Sequence, residues 1–156
     1  MKKVLPVKYP PITSFPYLAN MLSILWVNQE RTLPWISDHF IQIYGSTNLG
    51  FDFYDNSSAF YIPAESYCPF IHIQQIDRKV INHGLHIFSD YVEFLIDNDW
   101  YSCLCLDRYY LSCSAQYKKD HFLHSTFIYG YDKEKEVVLI ADFFNNGEIY
   151  SSGNKI

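Results

Sequence analysis

The segment His121-Phe-Leu-His-Ser-Thr-Phe-Ile-Tyr-Gly-Tyr-Asp132 is closely followed by Val137-Val-Leu-Ile-Ala-Asp142. Both runs are rich in the aromatic and β-branched residues of strands, and the charged residues between them suit a hairpin turn. Because the two strands of a hairpin lie side by side, His124 and Asp142 can come within hydrogen-bonding distance. A histidine oriented by a carboxylate is a common general base, although His124 can also simply border a strand while Asp142 caps a turn.

The composition indicates one folded domain. The chain has 156 residues, 49% of them hydrophobic and 19% charged, enough apolar material for a core that needs no disulfide or metal. A net charge of -5 gives no broad positive field, so neither nucleic acid nor an anionic membrane is an expected partner. Pro6, Lys8 and Pro10 interrupt the N-terminal apolar residues, and no run approaches the ~20 apolar residues of a membrane span. We therefore expect a cytoplasmic protein.

The four cysteines give no sign of a metal or redox motif. Cys68, Cys103, Cys105 and Cys113 contain no CxxC pair. Cys103 and Cys105 are two residues apart, which places both on the same side of a predicted strand. Free, buried thiols are the expected state, as in a reducing compartment.

Hydrophobic periodicity predicts helices first and strands second. Helical spacing predicts helices over residues 16–28, 32–43, 71–82 and 89–97, and alternation predicts strands over 51–54, 102–110, 125–130 and 136–142. Thr13 or Ser14 is placed to cap the first helix, with Pro16 in its first turn. Because the strands do not alternate with helices, the fold class is α+β rather than α/β.

Segments along most of the chain resemble one family, the butirosin biosynthesis protein H N-terminal family. The similar segments are Leu18 to Leu22, Ile43-Tyr-Gly45, Leu49-Gly-Phe-Asp-Phe-Tyr54, Leu106-Asp-Arg-Tyr-Tyr-Leu111, His121 to Asp132 and Val137 to Asp142. The segment from His124 to Asp132 also resembles the peptidases that trim double-glycine leader peptides. The resemblance implies a papain-like α+β fold, with N-terminal helices packed on a C-terminal antiparallel sheet.

The resemblance also implies an activity. Members of the family transfer an acyl group through a cysteine thioester, with an acyl or peptidyl carrier protein or a peptide as donor and a small-molecule amine as acceptor. By this resemblance His124 is the general base and Asp142 its orienter, and no cofactor is implied. Since the family's members usually continue further, we expect residues 1–156 to form a single papain-like domain, the N-terminal part of a longer protein.

The nucleophile is where the chain departs from the family. The family's cysteine opens the first helix, where the helix N-terminus lowers the pKa of a thiol, and the equivalent residues are Thr13 and Ser14. A hydroxyl has a far higher pKa than a thiol, so a helix end alone does not ionise it. Three explanations stay open: a catalytically inactive relative, a Ser14 hydroxyl activated by His124, or a sequence in which the cysteine was replaced.

Cys68 is the competing nucleophile. It precedes Pro69 and the predicted helix over residues 71–82, a position at which a helix N-terminus would favour the thiolate. The alternative is a structural thiol at a helix entry. Tyr109, Tyr110, Tyr129 and Tyr131 would line an acyl or peptide groove or else belong to the core.

Two HxxH pairs, His83 with His86 and His121 with His124, raise the question of zinc. Zinc sites usually place helical histidines at i and i+4 with a glutamate between them, or add cysteines. Neither pair has these companions, so no metal is predicted.

Two functions follow from the sequence. The first is an acyltransferase or peptidase-type domain of secondary-metabolite biosynthesis, which acts on a carrier-tethered acyl or peptidyl group through Cys/Ser-His-Asp chemistry. The second is a catalytically inactive relative that binds an acyl chain, a peptide or a partner domain in the same cleft.

Overall fold

The fold was analysed in a computed structural model of the chain. The structure describes residues 1–40, 43–47, 50–53, 68–77, 79–81, 88–144 and 152–155, and at 43, 44, 46, 50–53, 88 and 152–155 it describes the backbone alone. The chain divides into two compact units. The helical unit is Pro10–Gln75, and the sheet unit is Met1–Tyr9 together with Ile76–Ile156.

The helical unit contains two helices and one hairpin. Its elements are α1 (Pro16–Leu25), a 3-10 turn (Trp26–Asn28), α2 (Gln29–His39), β2 (Ile43–Ser46) and β3 (Gly50–Phe53). Strands β2 and β3 pair antiparallel, with Ile43 opposite Phe53. The core of the unit consists of apolar side chains from α1, α2 and the segment after β3: Leu18, Met21, Leu22, Leu25, Ile36, Phe40 and Cys68.

The ends of both helices differ from the predicted ones. The N-cap of α1 is Phe15, whose side chain makes no capping hydrogen bond, so the prediction that Thr13 or Ser14 caps this helix is wrong. Pro16 occupies the first turn as expected, because proline has no N–H that needs a partner there. Helix α2 begins earlier than predicted, since Thr32 Oγ1 donates to the carbonyl oxygens of Leu25 and Asn28 and ties the start of α2 to the end of α1.

The sheet unit contains a five-stranded antiparallel sheet and one helix. Its elements are β1 (Lys2–Val4), α3 (Phe88–Asp97), β4 (Ser102–Asp107), a 3-10 turn (Arg108–Tyr110), β5 (Leu123–Asp132), β6 (Val137–Ala141) and β7 (Ser152–Lys155). Strand β5 is central: β4 pairs with its first half and β1 with its second half on one edge, and β6 followed by β7 lies on the other. The α+β class, with helices before an antiparallel sheet, is confirmed.

The core of the sheet unit lies between α3 and the sheet. Val92 and Ile96 of α3 contact Ile128 and Ile140 of the central strands, and all four are fully buried. Gly130 allows β1 to approach β5, because a Cβ there would lie 2.8 Å from the carbonyl oxygen of Lys3. The first residues of the chain thus pair with the second half of β5 and form part of one edge of the sheet.

Other predictions about the elements need correction. Residues 71–77 are not helical, and only residues 79–81 form a helical turn in the described part of the predicted helix over 71–82. Six residues of the segment 71–77 are exposed, so the apolar spacing there does not correspond to a buried helical face. Strands β1, β2 and β7 were not predicted, because each is too short for its alternation to be recognised, and Ile43 in β2 was wrongly assigned to the predicted helix over 32–43.

The cysteines also differ from expectation. Cys103 and Cys105 do lie on the same side of β4, but that side is exposed, while the Leu104 and Leu106 side packs on the core. Cys68 is buried and Cys113 is half-buried. In the described part of the chain, no helix is long and apolar enough to span a membrane.

Candidate functional site

The register of β5 and β6 brings the predicted histidine and aspartate together. Phe127 lies opposite Ala141, so continuing this register places Asp142 beside Thr126, two residues from His124 on the same face of the sheet. Nδ1 of His124 lies 2.8 Å from Oδ2 of Asp142. The predicted hydrogen bond between the two side chains is therefore present.

The carboxylate of Asp142 is held on both oxygens. Its side chain has no exposed surface. Oδ1 accepts from the backbone N–H of Phe143 at 2.7 Å, and Oδ2 accepts from Thr126 Oγ1 at 3.3 Å as well as from His124. These bonds satisfy a buried charge that water does not reach, and they fix the direction in which Asp142 faces the imidazole.

A third residue, Arg108, belongs to the same group and was not singled out from the sequence. Its Nη2 lies 2.8 Å from Asp142 Oδ2, and its side chain is only 7% exposed. The guanidinium lies between the rings of Phe122 and Phe144, at 5.4 and 5.3 Å from their centroids. Asp142 is thus paired with a permanent cation as well as with His124.

Local structure explains how Arg108 reaches the site. Strand β4 ends at Asp107, opposite Leu123 at the start of β5, one residue before His124. The side chain of Asp107 accepts from the N–H of Tyr109 and begins a 3-10 turn at Arg108. The signal in the sequence was an arginine directly after a strand that pairs with the strand of His124, but pairing of these strands is not visible in the sequence itself.

The contacts around Nδ1 of His124 indicate its tautomer. Two acceptors lie close to this atom: Oδ2 of Asp142 at 2.8 Å and the carbonyl oxygen of Ser125 at 3.0 Å. Nη2 of Arg108, at 3.1 Å, is the one donor near this atom among the described residues, and it lies closer to Oδ2 of Asp142, at 2.8 Å. Nδ1 therefore carries the hydrogen in the neutral imidazole, and Nε2 carries the lone pair.

Solvent reaches the imidazole from one side. The side chain of His124 is 26% exposed, and its ring stacks on Phe122 with centroids 5.7 Å apart. Within the described residues, no protein group forms a hydrogen bond with Nε2 of His124. The atom that would accept a proton from a nucleophile is therefore available.

His121, the other member of the HxxH pair, faces a different carboxylate. Its Nδ1 lies 2.7 Å from Asp107 Oδ2, and its ring stacks on Tyr109 at 4.3 Å between centroids. The hydrogen bond from His121, followed by the N–H groups of Tyr109 and Phe122, lowers the pKa of Asp107 below its usual value of 3.8. The side chain of His121 is 66% exposed, so this pair is a surface neighbour of the His124 site.

Each imidazole of this HxxH pair is thus engaged by its own aspartate. Among the residues that the structure describes, no group of three or more His, Cys, Asp and Glu side chains is placed to hold a metal ion. The other HxxH pair, His83 and His86, lies outside the described residues.

The proposed nucleophiles belong to the helical unit. Thr13 is half-buried and Ser14 is exposed, and both precede α1 without capping it. Cys68 is also in this unit, buried in its core, and desolvation raises the pKa of its thiol above 9.0. Since residues 71–77 are not helical, the helix N-terminus that was expected to favour a Cys68 thiolate is absent.

Of the four tyrosines considered as groove residues, two are core residues instead. Tyr131 is 3% exposed, packs in the core of the sheet unit and donates from its hydroxyl to Asp97 at 2.8 Å. Tyr129 is also buried. Tyr110, at 66% exposed, and Tyr109 remain on the side of the sheet unit where His121 lies.

We compared the chain with protein-family models, curated proteins and solved structures, and none of these comparisons gave a match. The likeness to the butirosin biosynthesis protein H N-terminal family thus rests on the sequence segments alone.

Proposed function

We propose that the chain is a papain-like acyl-transfer domain in which His124 is the general base and Asp142 orients it. The observation that carries this proposal is the 2.8 Å bond from Nδ1 of His124 to a buried carboxylate, with the imidazole partly exposed and no hydrogen bond to Nε2 from any residue that the structure describes. This is the arrangement that an imidazole needs to take a proton from an attacking group.

The reaction follows from ordinary acyl-transfer chemistry. A hydroxyl nucleophile, a role that the family resemblance assigns to Ser14 or Thr13, attacks the carbonyl carbon of a carrier-tethered thioester while its proton passes to the general base, His124. The C–S bond then breaks, and the departing carrier thiolate takes this proton. In the second half, a small-molecule amine attacks the ester carbonyl carbon and passes a proton to Nε2. The C–O bond to the nucleophile then breaks as the amide forms, and Nε2 returns the proton to the alkoxide, which restores the hydroxyl.

The surface beside His124 suits an apolar acyl or peptidyl group. Phe122, which stacks on the imidazole, is 45% exposed, and the next residue, Leu123, is 65% exposed. Exposed apolar side chains next to a functional group commonly mark a binding surface. The exposed thiols of Cys103 and Cys105 fit the reducing conditions of the cytoplasm, where we place this activity.

A second function, binding without catalysis, is supported by a specific contact. Arg108 already compensates the charge of Asp142, which leaves less negative charge to stabilise an imidazolium during proton transfer. In that case the same surface holds an acyl chain, a peptide or a partner domain without forming a covalent intermediate.

Intact-mass spectrometry separates the two functions. The parent protein is incubated with acyl thioesters of a small thiol, and the mass of the protein is measured. We expect an added acyl group that is absent in Ser14→Ala/Thr13→Val and in His124→Ala. His121→Ala is the matched control, since it removes another aspartate-bound histidine three residues away and should keep the adduct.

Two outcomes would contradict the acyl-transfer proposal. An adduct that persists in His124→Ala would show that the imidazole takes no part. The absence of any adduct, together with thermal stabilisation of the protein by the same thioester, would establish binding instead of catalysis.

A further inference from the structure

We propose that Arg108 is a positioning residue of the His124 site, which keeps the imidazole neutral with its hydrogen on Nδ1. This inference rests on the proposed function for its consequence in catalysis, but the protonation state it describes can be measured without any substrate. Its basis is the geometry of three side chains, Arg108, His124 and Asp142.

Arg108 and His124 share one carboxylate oxygen of Asp142. Oδ2 of Asp142 accepts from Nη2 of Arg108 and from Nδ1 of His124, each at 2.8 Å. Because both donors meet the same atom, the guanidinium fixes the position at which the imidazole finds its acceptor. The tautomer with the hydrogen on Nε2 would lose this bond and would place the lone pair of Nδ1 against two oxygens.

The positive charge of Arg108 opposes protonation of His124. The guanidinium of Arg108 is a cation and the carboxylate of Asp142 an anion, so the charges of the two side chains cancel. A proton added to His124 would place a second positive charge beside Nη2 of Arg108, which is 3.1 Å from Nδ1. Both side chains of the ion pair are buried, so water screens this repulsion weakly.

The groups that face the site from each neighbouring element support this account. Strand β5 contributes the Thr126 hydroxyl, and the residue after Asp142 contributes the N–H of Phe143, both uncharged. The guanidinium also contacts the rings of Phe122 and Phe144, which are uncharged. The side chains of His121 and Asp107 bind each other, and they are 66% and 21% exposed. Among the residues that the structure describes, Arg108 is therefore the cation next to His124.

The cost of this arrangement also points to a role beyond stability. The Nε atom of Arg108 is buried and has no hydrogen-bond partner among the described residues. Buried polar atoms without a partner are rare in folded proteins, and a buried ion pair is seldom more stable than an apolar replacement. A guanidinium kept there is consistent with a task in the site.

The test is the imidazole nitrogen spectrum of His124, recorded by NMR across a pH series without substrate. In the parent protein we expect the Nδ1–H neutral form. Arg108→Lys retains the charge and should retain this form, whereas Arg108→Gln and Arg108→Met remove the charge and should convert His124 to imidazolium at a pH at which the parent is still neutral. Arg108→Gln keeps polar hydrogens in the space, so it serves if Arg108→Met does not fold.

The outcomes separate this inference from the proposed function. An unchanged His124 spectrum in both neutral variants would overturn the role of Arg108, even if the parent transfers acyl groups. A shifted spectrum in a parent protein that forms no acyl adduct would support the role of Arg108 and reject the catalytic proposal. If both proposals hold, the acidic limb of the acyl-transfer rate moves to higher pH in Arg108→Gln but stays in place in Arg108→Lys.

Discussion

Breaking the ion pair of Arg108 and Asp142 should be among the most damaging changes in the sheet unit. The two atoms are 2.8 Å apart, and the side chains are 7% and 0% exposed. Removing one member of such a pair leaves an uncompensated buried charge, which costs about 3–5 kcal/mol. For a chain of this length that corresponds to a fall of about 6–20 °C in melting temperature.

The two single variants should not be equal. After Arg108→Met, the carboxylate of Asp142 still accepts from His124, Thr126 and Phe143. After Asp142→Leu, the guanidinium of Arg108 keeps the faces of two phenylalanine rings and the contact with Nδ1 of His124, but no negatively charged partner. Asp142→Leu should therefore lower the free energy of unfolding more than Arg108→Met. The double variant should be no less stable than Asp142→Leu, because it leaves no buried charge.

Urea unfolding, followed by far-UV circular dichroism and tryptophan fluorescence, measures these differences. Lys133→Met is the control, since the pair of Lys133 and Glu93 is 44% and 27% exposed and its loss should cost less than about 1 kcal/mol. Additive losses in the double variant, or a loss for Asp142→Leu no larger than that for Lys133→Met, would refute the argument from buried charge.

Three further predictions concern other parts of the protein. Gly130→Ala should destabilise the fold by about 1–3 kcal/mol in urea, because its Cβ would meet the backbone of Lys3 at 2.8 Å and push β1 away from β5, and an unchanged midpoint would exclude this close approach. Asp107→Asn should remove a stabilisation that exists above the unfolded pKa of 3.8 and that the parent loses as the pH falls through the lowered folded pKa. The difference in unfolding free energy between parent and variant should thus shrink below pH 3.8, and a difference that grows on acidification would contradict it. Cys103 and Cys105, both exposed, should react with iodoacetamide at pH 8 well before Cys68, whose pKa burial raises, and peptide mapping that finds Cys68 labelled first would reverse this order.

The sequence predicted the central elements of the sheet well because their signals are local. Alternation identified the segments of β4, β5 and β6, and the charged residues between β5 and β6 identified their hairpin. The hydrogen bond of His124 and Asp142 follows from this hairpin, since the two residues lie on adjacent antiparallel strands a short distance apart in the chain. No long-range information was needed for this pair.

The predictions that failed concern features that depend on contacts between distant parts of the chain. Strand β1 exists because β5 extends beyond the end of β4 and leaves an edge that Lys2 to Val4 can pair with. The apolar residues of 71–77 have helical spacing but no helix, since spacing alone does not show whether a core is available to bury them. Cys68 was considered for a helix entry and instead lies in the core of the helical unit.

The sequence by itself therefore determined that the protein is α+β and that a histidine and an aspartate meet on one hairpin. Only the tertiary structure decided the chemical environment of that pair. Arg108 enters from the end of another strand, and its charge acts on Asp142 and His124 because all three side chains are drawn together where little water remains. Electrostatic interactions depend on distance and burial, and neither can be read along a chain.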